Sequence, residues 1–280
     1  MTETASPSRP ASRRLLARLA AIGPLERMLS APAEPRPPRR ARGEIALALL
    51  WGALCHLIFG AAVLAMILGM AFGMSESFGR VPQPWAWAVN LLLLLQFPMA
   101  HSLLLTRRGR GWLGRAAPLG AGRTLATTTY AIVASLQLLA LFLLWTPSGT
   151  VWWRAEGWAL AGMLTLYAAS WGVLVKASWD AGAEVQSGAL GWISLLRGAK
   201  PVFPPMPVRG LFSWIRQPIY LGFALTTWTV PVWTPDQLML ASVLTGYCAL
   251  GPLLKERRFE DMFGARWHAY RERTGYWWPK

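Results

Sequence analysis

The residue types best suited to chemistry crowd into one heptapeptide, Arg216-Gln217-Pro218-Ile219-Tyr220-Leu221-Gly222, at the mouth of a hydrophobic run. Pro218 suits the first turn of a helix, where its missing N–H costs nothing. The orphan N–H groups of that turn face outward with the positive end of the helix dipole. Arg216 adds a full charge beside them, which together describes an anion site at a membrane surface. The plainer alternative is a loop-to-helix junction with a snorkelling arginine. Glu256 follows the last apolar run, within Leu254-Lys255-Glu256-Arg257-Arg258-Phe259. A cation and a carboxylate flanking one recess suit a zwitterionic ligand; the alternative is a set of charges marking a membrane exit.

His101 lies one turn before Arg107 and Arg108, at the end of an apolar run and at the depth of the Arg216 recess. An ionisable residue in a span is a functional candidate, here as a base, or else an interface anchor. His56 reads as a packed, hydrogen-bonded histidine and His268 as a solvated one. Lys176, Asp180 and Glu184 share one helical face and read as a surface ion-pair ladder. Gly109 to Gly114 matches GxGxxG but follows an apolar helix rather than a strand, with no acidic residue about 20 positions on. It reads as a flexible basic loop, not a dinucleotide fingerprint. Gly69 and Gly73 form a GxxxG suited to helix packing. Cys55 and Cys248 lie inside apolar runs and read as reduced, packed thiols, neither a disulfide nor a metal site.

The elements that must position these residues are helices in a membrane. The 280 residues are 54% hydrophobic, include 17 Trp and carry a formal charge of +15. Long uncharged runs alternate with basic loops, so the basicity points to anionic lipid rather than nucleic acid. Six apolar segments fall at about 44–72, 85–105, 125–145, 157–175, 218–232 and 237–254. The fifth, about 15 residues or roughly 22 Å as a helix, is short. It would leave the Arg216 site recessed below the headgroups. Lys and Arg number 9 in residues 1–43, 5 in 106–123, 4 in 180–217 and 7 in 255–280. All four stretches fall on one side, which places both termini in the cytoplasm. Trp85, Trp87, Trp145, Trp152, Trp153, Trp158 and Trp233 are expected to form an aromatic belt on the far side. The expected fold class is therefore all-α: a polytopic integral membrane protein with about six transmembrane helices and a cytoplasmic C-terminal helix. No cleaved signal peptide is read in the N-terminal sequence. Residues 1–43 hold seven of the 21 prolines and read as a disordered basic cytoplasmic tail. Within it, residues 12–29 form either a basic interfacial helix or more solvated tail.

The stretch Gly210-Leu211-Phe212-Ser213-Trp214-Ile215-Arg216-Gln217-Pro218-Ile219-Tyr220-Leu221-Gly222, paired with residues 254–259 and Phe263-Gly264, resembles the isoprenylcysteine carboxyl methyltransferase superfamily. Its members carry Arg-His-Pro-x-Tyr-x-Gly, then Glu-Glu ahead of Phe-Gly. The resemblance covers about residues 86–280. It is nearest the bacterial methanethiol S-methyltransferases and the nitrite and nitric oxide reductase accessory type, where Pro98-Met99-Ala100-His101-Ser102 also finds a similar segment. Two positions depart from the pattern: Gln217 stands for the usual His, and Lys255 for the first Glu.

The resemblance implies a membrane methyltransferase domain over 44–280, with its cofactor pocket mainly in 197–280, in a bacterial inner membrane. It implies S-adenosylmethionine as cofactor, contacted by Gly210, Phe212, Arg216, Gln217, Pro218, Tyr220, Leu221, Gly222 and Glu256. The cofactor carboxylate would meet the Pro218 helix start and Arg216, its sulfonium the Tyr220 face, and its amino group or ribose Glu256. The acceptor would be small or lipophilic, arriving from the membrane lipids. If it is a thiol, it must lose a proton, and the depth of His101 suggests it as the catalytic base, with Glu256 as its competitor. Neither metal nor nucleic acid is expected. Two other readings stay open: a non-catalytic membrane accessory protein of nitrogen-oxide metabolism, which Gln217 and Lys255 favour, and a sterol-reductase-like nicotinamide enzyme, for which no phosphate-binding signature is present.

Overall fold

The computed structural model describes residues 42–280. The tail expected at 1–43, with its segment 12–29, lies outside the described residues except for Arg42 and Gly43, which open the first helix.

Five helices among the described residues are long and apolar enough to cross a membrane: α1 (Arg42–Ala71), α2 (Trp85–Leu104), α4 (Gly122–Leu144), α5 (Gly157–Asp180) and α9 (Pro235–Phe263). Each turns much of its apolar surface outward. Leu50, Leu57, Leu92, Leu166, Val175 and Leu250 are all more than half exposed. Such surface is stable only against lipid, so the protein is an integral membrane protein. The short segment expected at 218–232 closes to α8 (Pro218–Trp228), 11 residues or roughly 16 Å. Its remainder is extended. Val232–Trp233 (β2) pairs antiparallel with Trp153–Arg154 (β1), the two strands among the described residues. Backbone groups that the helix cannot satisfy are thereby paired across the far-side loops.

α1 packs along α4, and α8 lies between α5 and α9. Glycines set the closeness. A Cβ on Gly222 would sit 2.9 Å from the Leu174 backbone of α5, and one on Gly69 would meet the Phe142 ring of α4 at 2.9 Å. Gly73, the other half of the GxxxG, instead closes α1 at φ 62°. The largest apolar cluster gathers Met70, Leu94, Leu141, Trp145, Tyr167 and Leu240.

The loops are more structured than their composition suggests. GxGxxG forms a short helix, α3 (Arg107–Leu113), capped by Thr106, whose Oγ1 accepts from Gly109 N at 3.1 Å. It is not the flexible loop expected. Residues 180–217 contain α6 (Ala183–Gln186) and α7 (Ala189–Arg197). The second packs against α1 and α4, where Thr128 Oγ1 donates to Gly188 O at 2.7 Å and accepts from Trp192 N at 3.0 Å. The ion-pair ladder is cut short: Lys176 pairs with Asp180, but α5 ends there and Glu184 lies buried in α6. His56 accepts a hydrogen bond from Trp192 Nε1 at 3.0 Å, and His268 is exposed beside Glu260. Both cysteines are free and buried.

The aromatic belt needs one correction. Trp85, Trp87, Trp152, Trp153 and Trp158 are exposed, but Trp145 is fully buried. Its Nε1 donates to Asp236 Oδ1 at 2.9 Å. The other oxygen of Asp236 accepts from Ser148 N at 2.9 Å and Ser148 Oγ at 2.5 Å. Nothing in the local pattern marks Asp236, yet it ties the far end of α9 to the loop after α4. Asp236→Ala strands these donors, the buried Trp145 Nε1 among them. We expect it to cost about 3 kcal/mol, read as a lower melting temperature in detergent, whereas Asp236→Asn keeps part of the network and loses less.

Candidate functional site

The site is built where α8 begins, α9 leaves its apolar stretch and the C-terminal segment folds back. Pro218 opens α8 at its first turn, as its fixed φ favours. Gln217 is the N-cap residue, but its side chain does not cap; it turns to α9 instead. Gln217 Nε2 donates to Glu256 Oε1 at 2.7 Å, and Gln217 Oε1 accepts from Lys255 Nζ at 3.2 Å. Arg216 Nε donates to the same Glu256 oxygen at 2.9 Å. The result is a chain of four side chains, Lys255–Gln217–Glu256–Arg216, in which Gln217 is completely buried.

Arg216 is therefore not the outward-facing cation of an anion site. It is 8% exposed, and its Nη1 donates to the carbonyls of Thr274 at 2.6 Å and Arg271 at 3.3 Å. Its guanidinium carbon lies 5.4 Å from the Tyr276 ring centre. Arg216 N also donates to Gly275 O at 2.8 Å, so the C-terminal segment is stitched to the start of α8. A guanidinium taken out of water must find such partners, and folding the C-terminus back supplies them.

That segment is held by α10 (Ala265–Arg273), which starts after Gly264 at φ 48°. Trp267 and Tyr270 of α10 pack on Met206, and Tyr270 donates its hydroxyl to Phe212 O at 2.7 Å. Burial raises the Tyr270 phenol well above its ordinary range, keeping it a neutral donor. Phe212 lies in the 3-10 turn Gly210–Ser213, fixed on its other side by Asp180 Oδ2, which accepts from Leu211 N at 2.9 Å.

Lys255 completes the arrangement. Its Nζ lies 5.4 Å from the ring centre of Phe212, 5.7 Å from Tyr220 and 5.3 Å from Phe259. Three aromatic faces and one amide oxygen make a cation cage. A methyl donor with a sulfonium centre fits residues of this kind. Both bonds to Glu256 fall on Oε1, so its second oxygen can serve a cationic or hydroxyl group of a ligand.

Of the residues singled out in sequence, Phe212, Arg216, Gln217, Tyr220 and Glu256 come together. Gly210, Leu221 and Gly222 serve the frame. Gly210, at φ 61°, lets the Asp180 carboxylate approach; Leu221 N donates to Gln217 O at 3.0 Å; Gly222 seats α8 on α5. His101 packs between Phe97, at 5.3 Å, and Tyr130, at 5.1 Å, and its buried Nδ1 has no hydrogen-bond partner among the described residues. Tyr247 lies 6.3 Å from Tyr220, ring to ring. Tyr130, Tyr247, Phe259 and Tyr276 pack around these residues, and the sequence assigns none of them a role. Of these, only Phe259, four residues after Lys255 on one helical face, carried a local signal. Among the described residues no group of three His, Cys, Asp or Glu is disposed to hold a metal ion.

Similarity to known proteins extends over most of the chain. It is 29% identical over 233 residues to Methanethiol S-methyltransferase 1 of Bradyrhizobium diazoefficiens, covering 81% of this chain and 80% of that protein. The chain is similar to several methanethiol S-methyltransferases. The protein of that name from Pseudomonas sp. (strain GM41(2012)) is 28% identical over 237 residues, 83% of this chain and 90% of its own. Human Nurim is 30% identical over 177 residues, 60% of this chain and 64% of Nurim. The resemblance to the isoprenylcysteine carboxyl methyltransferase superfamily, and to its methanethiol S-methyltransferase branch, is borne out. No family model and no solved structure matches.

Proposed function

We propose that this protein is an integral membrane S-adenosylmethionine-dependent methyltransferase acting on a small or lipophilic acceptor, a thiol. The observation that carries the reading is the cage of Phe212, Tyr220 and Phe259, joined through Lys255 and Gln217 to Glu256 at the start of α8. The relatives' name supports a methyltransferase and supplies the thiol. We assign residues 44–280 to one methyltransferase domain with its cofactor pocket mainly in 197–280.

Bound S-adenosylmethionine supplies an activated methyl group on a sulfonium. This chain's residues do the rest. The aromatic faces of Phe212, Tyr220 and Phe259 hold a cation. Glu256 receives an amino or hydroxyl group through its free oxygen. The helix start at Pro218 would receive a carboxylate. Arg216 acts indirectly, by fixing Glu256. A thiol coming sideways from the bilayer gives its proton to His101, since the thiolate is the nucleophile. In-line placement of the two sulfurs then supplies most of the remaining advantage.

Calorimetry on detergent-purified protein tests this. We expect S-adenosylmethionine to bind in the micromolar range, roughly 8 kcal/mol. Absence of binding to folded protein would sink the reading. It would leave a non-catalytic membrane protein, which the mutual pairing of Arg216 and Glu256 favours as second choice.

We place the protein in a bacterial inner membrane with both termini in the cytoplasm, on the same side as the four basic stretches. Reporter fusions after Arg80 and Gly149 should be active only on the far side, and a C-terminal fusion only in the cytoplasm. A C-terminal fusion active in the periplasm would reverse the orientation.

A further inference from the structure

We propose that Lys255 is a tethered competitor for the methyl donor's positive centre: its ammonium fills the aromatic cage when the donor is absent and must leave it for the sulfonium to enter. The inference rests on the methyltransferase reading of the same site.

The cage offers one cation position. Its three rings converge on Lys255 Nζ within 5.3–5.7 Å, and Gln217 Oε1 fixes the ammonium from a fourth side at 3.2 Å. Two unit charges cannot share that space. Two like charges that close repel strongly even with the screening of a protein interior. The lysine is not locked in place by an ion pair. Its neighbour Glu256 turns to Arg216 and Gln217, so the direct contacts of Lys255 Nζ are the amide oxygen and the ring faces. An ammonium on a four-carbon stem, held by one neutral hydrogen bond and ring faces, can swing out at modest cost.

Such a lysine also gives the reaction a direction. When the methyl carbon bonds to the acceptor sulfur, the old carbon–sulfur bond breaks. Its electron pair stays on the donor sulfur, which becomes a neutral thioether. The acceptor thiol proton leaves to His101 and then to water. The product has lost the charge that held the cage, whereas the ammonium has kept its own. Lys255 then reclaims the cage and weakens the hold on S-adenosylhomocysteine. Loading is made weaker, and product exchange faster, by the same side chain.

The test compares the affinities of S-adenosylmethionine and S-adenosylhomocysteine by calorimetry, for wild type, Lys255→Met and Lys255→Arg. Methionine keeps the length of the stem and removes the charge; arginine keeps the charge. The expected result is that Lys255→Met tightens S-adenosylmethionine about tenfold relative to S-adenosylhomocysteine, while Lys255→Arg keeps the wild-type ratio. A ratio unchanged in Lys255→Met overturns the proposal, and so does a Lys255→Arg ratio equal to that of Lys255→Met. Should Lys255→Met not fold, Lys255→Gln takes its place with the same two outcomes. Failure of both ligands to bind every folded variant defeats the methyltransferase reading itself, a different result from binding with an unaltered ratio.

Discussion

Glu256→Ala is expected to destabilise the protein by about 3–5 kcal/mol, the largest effect of any single truncation around the site. Glu256 Oε1 is the one acceptor shared by Arg216 Nε and Gln217 Nε2. Arg216 is buried, so removing the carboxylate leaves a guanidinium with carbonyl partners and no counter-charge. Gln217, completely buried, loses its acceptor as well. Glu256→Gln keeps an acceptor oxygen but not the charge and should lose roughly half as much. Melting temperatures in detergent measure both. Because Arg216 also holds Gly275 and Thr274, the Glu256→Ala protein should become sensitive to proteases near its C-terminus before it melts. A melting temperature equal to wild type would show that the network is incidental.

His101→Ala should lower turnover about a hundredfold or more and leave S-adenosylmethionine affinity nearly unchanged. The buried Nδ1 without a partner motivates this. An imidazole nitrogen kept dry and unbonded is costly unless something else uses it. The packing of His101 on Phe97 and Tyr130 holds the ring in place, so an alanine should remove the base without displacing Glu256 or the cage. Single-turnover methylation with labelled donor separates the step from binding. Loss of cofactor affinity instead would make His101 part of the pocket wall. Unaltered turnover would make it an interface anchor.

Much of the framework was legible in the chain. Runs of apolar residues long enough to cross a bilayer can satisfy their backbone only as helices, and five of the six expected segments became such helices. Pro218 marked the start of α8 because its ring permits little else. The motif residues Phe212, Arg216, Gln217, Tyr220 and Glu256 stand out by type and spacing in the chain itself.

Partners were not legible, because hydropathy reports how much a residue is buried and not against what. Trp145 looks like its exposed neighbours Trp152 and Trp153 in composition. It points inward only because Asp236, 91 positions away, supplies an acceptor. The end of α8 at Trp228 follows from the pairing of Val232 with Arg154, which no pattern within 218–232 announces. Arg216 is the sharpest case. Its type and position fit an anion site, and its sequence neighbours offer no carboxylate. The chain by itself determined the helices, the basic side and the identity of the chemical groups. Tertiary structure decided that Arg216 spends its charge on Glu256, 40 residues on, and on the carbonyls of a C-terminal segment folded back by α10. It also decided that the cation in the aromatic cage is Lys255. A buried charge takes the partners that the fold brings within about 3 Å, and that distance is set by packing, not by order along the chain.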